Sequence, residues 1–114
     1  MLALKSTLVA NEAIPLVIFD EIDTGVSGTV ADSIGNRLKQ LARISQVIVI
    51  THQPQVAAKA DQHLLVSKMH FNEQTRVIAR ILTKSERVQA LAQMIAGKTI
   101  TENSVKAAQD LLAY

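Results

Sequence analysis

The sequence predicts an α/β fold, and three observations carry that prediction. Leu16 to Phe19 and Val47 to Ile50 are uninterrupted apolar runs, each ending abruptly in polar residues, Asp20-Glu21 and Thr51-His52. Runs of this kind fit strands buried on both faces, as in a parallel sheet. Between them, Thr29 to Arg43 sets Val30, Ile34, Leu38 and Leu41 on one helical stripe, with Arg37 and Lys39 off it. Strand, helix and strand in that order make a βαβ unit, whose crossover should be right-handed.

The elements follow in chain order. Residues 2 to 10 read as the end of a helix that opens without a capping residue, as expected of a chain cut from something longer. Ile14 to Phe19 reads as the first strand, with Pro15 near its start, where a missing amide donor is tolerated. Asp20 to Gly28 is a loop with two glycines. Ser27 or Thr29 is placed to cap the helix that follows. Gln46 to Thr51 is the second strand. Pro54 stands at the start of a short helix running to Ala60. His63 to Met69 and Arg76 to Leu82 read as an antiparallel pair joined through Asn72-Glu73-Gln74. Ser85 is a candidate N-cap for a helix whose Val88, Leu91, Ala92 and Ile95 recur at helical spacing, with Gly97 as its left-handed stop. Thr101 caps a last helix in which Val105, Ala108 and Leu112 face inward.

Composition narrows the class. The 114 residues suffice for one small domain, and 48% of them are hydrophobic. Aromatic residues are few, so aliphatic side chains must fill the core. No cysteine is present, which excludes disulfides and thiolate metal sites and fits a reducing cytosol. No segment reaches the ~18 apolar residues of a membrane span, and no secretory pattern opens the chain. A net charge of +2 with dispersed basic residues describes a mixed solvated surface, not a nucleic-acid footprint.

The chemistry-bearing residues gather at the strand ends. In open parallel sheets, ligands bind beyond the carboxyl ends of the strands. Asp20, Glu21 and His52 should therefore share one rim. Phosphoryl transfer needs Mg²⁺ on the phosphates and a group acting on the attacking water. A strand-end carboxylate can hold Mg²⁺, usually through water, and a second can work on the nucleophile. A histidine at the neighbouring strand end can meet a γ-phosphate or the attacking water as a donor. Taken singly, each residue reads more simply as an ordinary strand end; it is the combination on one rim that points to a site. The loop Ile22 to Gly28 offers polar side chains and two glycines for close backbone approach to a phosphate or a partner. His63 and His70 lack a metal-ligand set and read as surface or edge residues, and Met69 and Met94 as core filler.

These residues match a family. Leu16-Val-Ile-Phe-Asp-Glu21 resembles the Walker B strand of an ABC-type ATPase head, and Ile22-Asp23 resembles the SMC-like branch of it. Phe19 to Gly28 (FDEIDTGVSG), Val49 to Ala57 (VITHQPQVA), Asp61 to Lys68 (DQHLLVSK) and Ala107 to Leu112 (AAQDLL) resemble the C-terminal part of bacterial DNA-repair ATPases of that branch. The resemblance covers essentially the whole chain. It implies a partial ABC-type head, a P-loop NTPase-like parallel sheet with flanking helices, lacking the N-terminal half. It makes Asp20 the Mg²⁺-associated acid, Glu21 the catalytic glutamate and His52 the switch histidine. Asp23, Thr24, Gly25 and Ser27 fall in the D-loop, which crosses between two heads, and Ser27 stands where many relatives carry an aspartate.

The implied cofactors are ATP and Mg²⁺. The implied partners are DNA, a second head in a homodimer, and the remaining N-terminal head segment with its coiled coil, in a cytoplasmic, nucleoid-associated protein acting in double-strand-break repair and recombination. The residues contain no Gly-x-x-x-x-Gly-Lys-[Ser/Thr] phosphate loop, no Leu-Ser-Gly-Gly signature and no long heptad pattern. The chain alone is accordingly expected to be inactive. Two rival readings keep different parts of this picture: an ABC or SMC-like ATPase of another role, and a non-enzymatic interaction fragment.

Overall fold

The computed structural model describes residues 15–113. The helix expected over residues 2 to 10 and the first residue of the expected strand, Ile14, lie outside the described residues. The elements in order are β1 (Leu16–Asp20), α1 (Gly28–Leu41), β2 (Gln46–Ile50), α2 (Pro54–Ala57), β3 (Leu64–Phe71), β4 (Gln74–Ile81), α3 (Lys84–Ala96) and α4 (Glu102–Leu112). They fall into two compact units that divide between Ala60 and Asp61.

In the first unit, β1 and β2 pair in parallel, from Leu16 opposite Gln46 to Asp20 opposite Ile50. The expected βαβ unit is present. Alternation decides which side chains enter the core, because successive strand residues point to opposite faces. Phe19 is buried with Ala31, Leu38 and Leu41 of α1 and Val56 of α2, and Val17, Val47 and Val49 pack against them. Leu16, Ile18, Ile48 and Ile50 on the other face are 41–54% exposed. Burial on both faces was the expectation; among the described residues, only one face is covered.

The buried stripe of α1 is also displaced from the expected one. Ala31, Gly35, Leu38 and Leu41 are inside, whereas Val30 is exposed and Ile34 only half-buried. The reason is close approach. A methyl group on Gly35 would lie 3.2 Å from the Gln55 backbone oxygen and 3.4 Å from Val56 Cα, so α2 packs where the helix surface is smallest. Ser27 occupies the N-cap position with extended backbone, but its side chain makes no capping bond. Its carbonyl accepts from the Ala31 amide instead, at 2.8 Å. Pro54 stands in the first turn of α2, as its fixed φ favours.

In the second unit, β3 and β4 form an antiparallel hairpin from Leu64 opposite Ile81 to Phe71 opposite Gln74. Asn72 and Glu73 both have positive φ, 47° and 62°, as a two-residue turn requires to match the twist of the strands. Both strands are exposed along their whole length, so Met69 is not the core residue it was expected to be. α3 and α4 pack together around Val88, Leu91, Ala92 and Ala108.

Thr83, not Ser85, caps α3. The Glu86 amide donates to the Thr83 hydroxyl and the Thr83 amide to the Glu86 carboxylate, both at 3.3 Å. The reciprocal pair needs a polar side chain three residues after the cap; Thr83 has Glu86 there, whereas Ser85 has Val88. Gly97 ends the helix at φ 79°, ψ −117°, a glycine conformation but not the left-handed helical one expected. Thr101 caps α4 as predicted, in a reciprocal pair with Ser104.

Candidate functional site at the carboxyl ends of β1 and β2

Asp20 is the last residue of β1, and Glu21 begins the loop. Its amide donates to the Ile50 carbonyl at 2.8 Å, which carries the pairing one step past the strands. Glu21 itself has φ 51°, in the left-handed region where a residue other than glycine or asparagine is uncommon. Its carbonyl is held as well, accepting from the Thr24 hydroxyl at 3.0 Å and the Thr24 amide at 3.4 Å. Bonds on both sides of the peptide thus enforce a costly backbone angle, of the kind that clusters at functional sites. Asp20, Glu21 and His52 are all exposed, at strand ends that lie side by side.

The loop residues divide. Thr24, Gly25 and Ser27 are exposed, and Gly25 has φ 76°. Asp23 is 0% exposed, unlike the other three residues expected in the D-loop. Its Oδ2 accepts the hydroxyl proton of Thr51, and the Thr51 Oγ1 accepts from the Gln53 amide at 2.9 Å. Asp23 Oδ1 is buried with no hydrogen-bond partner among the described residues. Sequence reasoning gave Thr51 and Gln53 no part in the site. A threonine two residues before an amide in a turn is the local pattern that signals them.

Among the described residues, no group of three or more His, Asp or Glu side chains gathers around one point. Mg²⁺ keeps several waters and takes one or two carboxylates together with substrate phosphates. An exposed Asp20 at the strand end is a donor of the right kind.

His63 and His70 lie apart from this rim in the chain. His70 is exposed, and its Nδ1 lies 3.1 Å from the Thr75 hydroxyl across the hairpin. His63 is half-buried, directly before β3 at the end of the hairpin, so of the two expected placements, surface or edge, it takes the edge. Burial, with the Arg87 cation second, holds its imidazole below the ordinary histidine value.

No protein-family profile matches the chain. DNA repair protein RecN of Rickettsia felis is 54% identical over 112 residues, covering 98% of this chain and 20% of that protein. The same-named proteins of Streptomyces coelicolor and Bacillus subtilis are 44% and 42% identical over 112 residues. The chain thus spans about one fifth of the length of the curated relatives it matches.

Among solved structures, one from a study of ATP-driven dimerization and DNA-stimulated activation of SMC ATPases superposes with a TM-score of 0.64. It is 20% identical, over 86% of this chain and 58% of the other. An SMC head bound to the C-winged helix domain of ScpA gives a TM-score of 0.60 at 28% identity, over 75% of this chain and 26% of the other. The chain is similar to about one fifth of the RecN proteins, and its fold is that of part of an SMC ATPase head.

Proposed function

We propose that this chain supplies the Walker B, D-loop and switch-histidine region of an SMC-like ATPase that acts in DNA double-strand-break repair. ATP hydrolysis would be coupled to dimerisation of two heads. The observation that carries the reading is the juxtaposed rim: β1 and β2 end in register, with Glu21 fixed by Ile50 on one side and Thr24 on the other. The sequence match to RecN supports it.

In this mechanism Asp20 is the metal-associated acid, and bound Mg²⁺ supplies charge neutralisation on the nucleotide phosphates. Glu21 acts on the attacking water as a general base, its position set by the constrained backbone. His52 donates a hydrogen bond to the γ-phosphate as charge develops there. Thr24, Gly25 and Ser27, on the exposed part of the loop, face the second head across the dimer. DNA is engaged by the longer protein.

The test is paired: nucleotide affinity from a fluorescent ATP analogue and turnover from phosphate release, in a RecN-length protein carrying this segment. Glu21→Gln is expected to abolish turnover by at least about 100-fold while ATP affinity stays within about threefold, because glutamine keeps the shape but is a poor base. Asp20→Ala is expected to weaken Mg-ATP binding as well, and His52→Ala to resemble Glu21→Gln. Wild-type turnover in Glu21→Gln would remove the Walker B assignment.

A further inference from the structure

Asp23 and Thr51 lie in different segments, yet they are joined inside the rim. Asp23 is wholly buried in the loop after β1, and Thr51 is half-buried immediately after β2. A carboxylate accepts and does not donate, so the Thr51 hydroxyl must give its proton to Asp23. That leaves the oxygen's lone pairs for the Gln53 amide, which uses one of them at 2.9 Å. The two bonds therefore fix the residues on both sides of His52. Gln53 passes the constraint on: its carbonyl accepts from the Val56 and Ala57 amides in the first turn of α2.

The His52 side chain is exposed, so its position depends on the backbone that carries it. A buried carboxyl with one oxygen left unpartnered costs stability compared with an apolar residue of similar size, which argues for a role other than packing.

We propose that Asp23 is a positioning residue: through the Thr51 hydroxyl it fixes the Thr51-His52-Gln53 turn and so sets where the His52 imidazole stands. This rests on the reading of His52 as a group that meets the γ-phosphate. It also ties the loop that follows Glu21 to the segment that bears His52.

The experiment has two arms. In a RecN-length protein carrying this segment, Asp23→Ala and Thr51→Val are each expected to lower kcat at least about tenfold, with KM for ATP changed less than about threefold. Asp23→Asn, whose amide oxygen can still accept the hydroxyl proton, should recover most of the loss. Thr51→Ser should behave like wild type. The double variant Asp23→Ala with Thr51→Val should be no slower than the slower single one, as expected for residues acting through each other.

In the second arm, hydrogen exchange at the Gln53 amide of the 114-residue chain should accelerate in Asp23→Ala and Thr51→Val, and not in Thr51→Ser. Unchanged kcat in Asp23→Ala, or additive losses in the double variant, would overturn the proposal. If Asp23→Ala does not fold, the Thr51→Ser and Thr51→Val pair reads the same bond, and equal kcat in those two overturns it. Should Glu21→Gln retain turnover, it is the ATPase-site reading that fails. Exchange at Gln53 then still decides whether Asp23 holds the turn.

Discussion

Glu21 illustrates how much of a site can reside in one backbone angle. A positive φ in a glutamate costs of the order of 1–3 kcal/mol, and here it persists because the Ile50 carbonyl holds its amide and Thr24 holds its carbonyl. The sequence named the residue but not the angle, since nothing in an Asp-Glu pair announces a left-handed turn. His63 makes a second residue-scale point. Its imidazole titrates below the ordinary value, chiefly because it is buried and secondly because Arg87 disfavours another cation. The unfolded chain then binds the proton more readily than the folded one. Stability from this group is complete above the unfolded value near 6.5 and is lost as pH falls through the lowered folded value. Thermal melting of the chain should thus show a drop in Tm below about pH 6.5 that is smaller in His63→Gln. An identical pH profile in the two would contradict the assignment.

At the scale of an element, the capping box of α3 is the clearest device. Thr83 and Glu86 satisfy each other's backbone amides, and Glu86 also pairs with Arg80 of β4, so the same side chain ties the hairpin to the helix start. Thr83→Ala should destabilise the chain by about 1 kcal/mol, whereas Ser85→Ala should have little effect, because Ser85 lies inside the first turn. Chemical denaturation of the two variants checks the pair; equal losses would return the cap to Ser85. The face of α1 shows the opposite lesson. Hydrophobicity alone favoured Val30 and Ile34, but contact with α2 selected Ala31 and Gly35, because two backbones pack closest where side chains are absent or small.

At the scale of the whole molecule, the parallel sheet presents Leu16, Ile18, Ile48 and Ile50 on the face that is exposed among the described residues. An apolar strip on a two-stranded sheet invites association. The 114-residue chain should therefore self-associate, and Ile18→Thr with Ile48→Thr should shift it toward monomer in sedimentation experiments. Unchanged association would place the contact elsewhere, for instance on the exposed hairpin. The chain alone should also show no steady ATP turnover and no micromolar Mg-ATP affinity in isothermal titration. Its residues contain no phosphate loop, whose backbone amides and lysine make most of the phosphate contacts. Micromolar binding with turnover would refute this.

The sequence by itself determined the α/β class, the order of the elements and the parallel pairing of β1 with β2. Apolar runs, helical spacing and turn residues are local signals, and the elements obeyed them. It also located Asp20, Glu21 and His52 at strand ends, since chain polarity and parallel pairing suffice to bring those ends together. Tertiary structure alone decided which loop residue turns inward. Asp23 and Thr24 are adjacent polar residues with no sequence feature to separate them, yet one is fully buried on the Thr51 hydroxyl and the other is exposed. That choice depends on a hydroxyl 28 residues away in the chain, and a bond between distant segments forms only once the strands that carry them have paired.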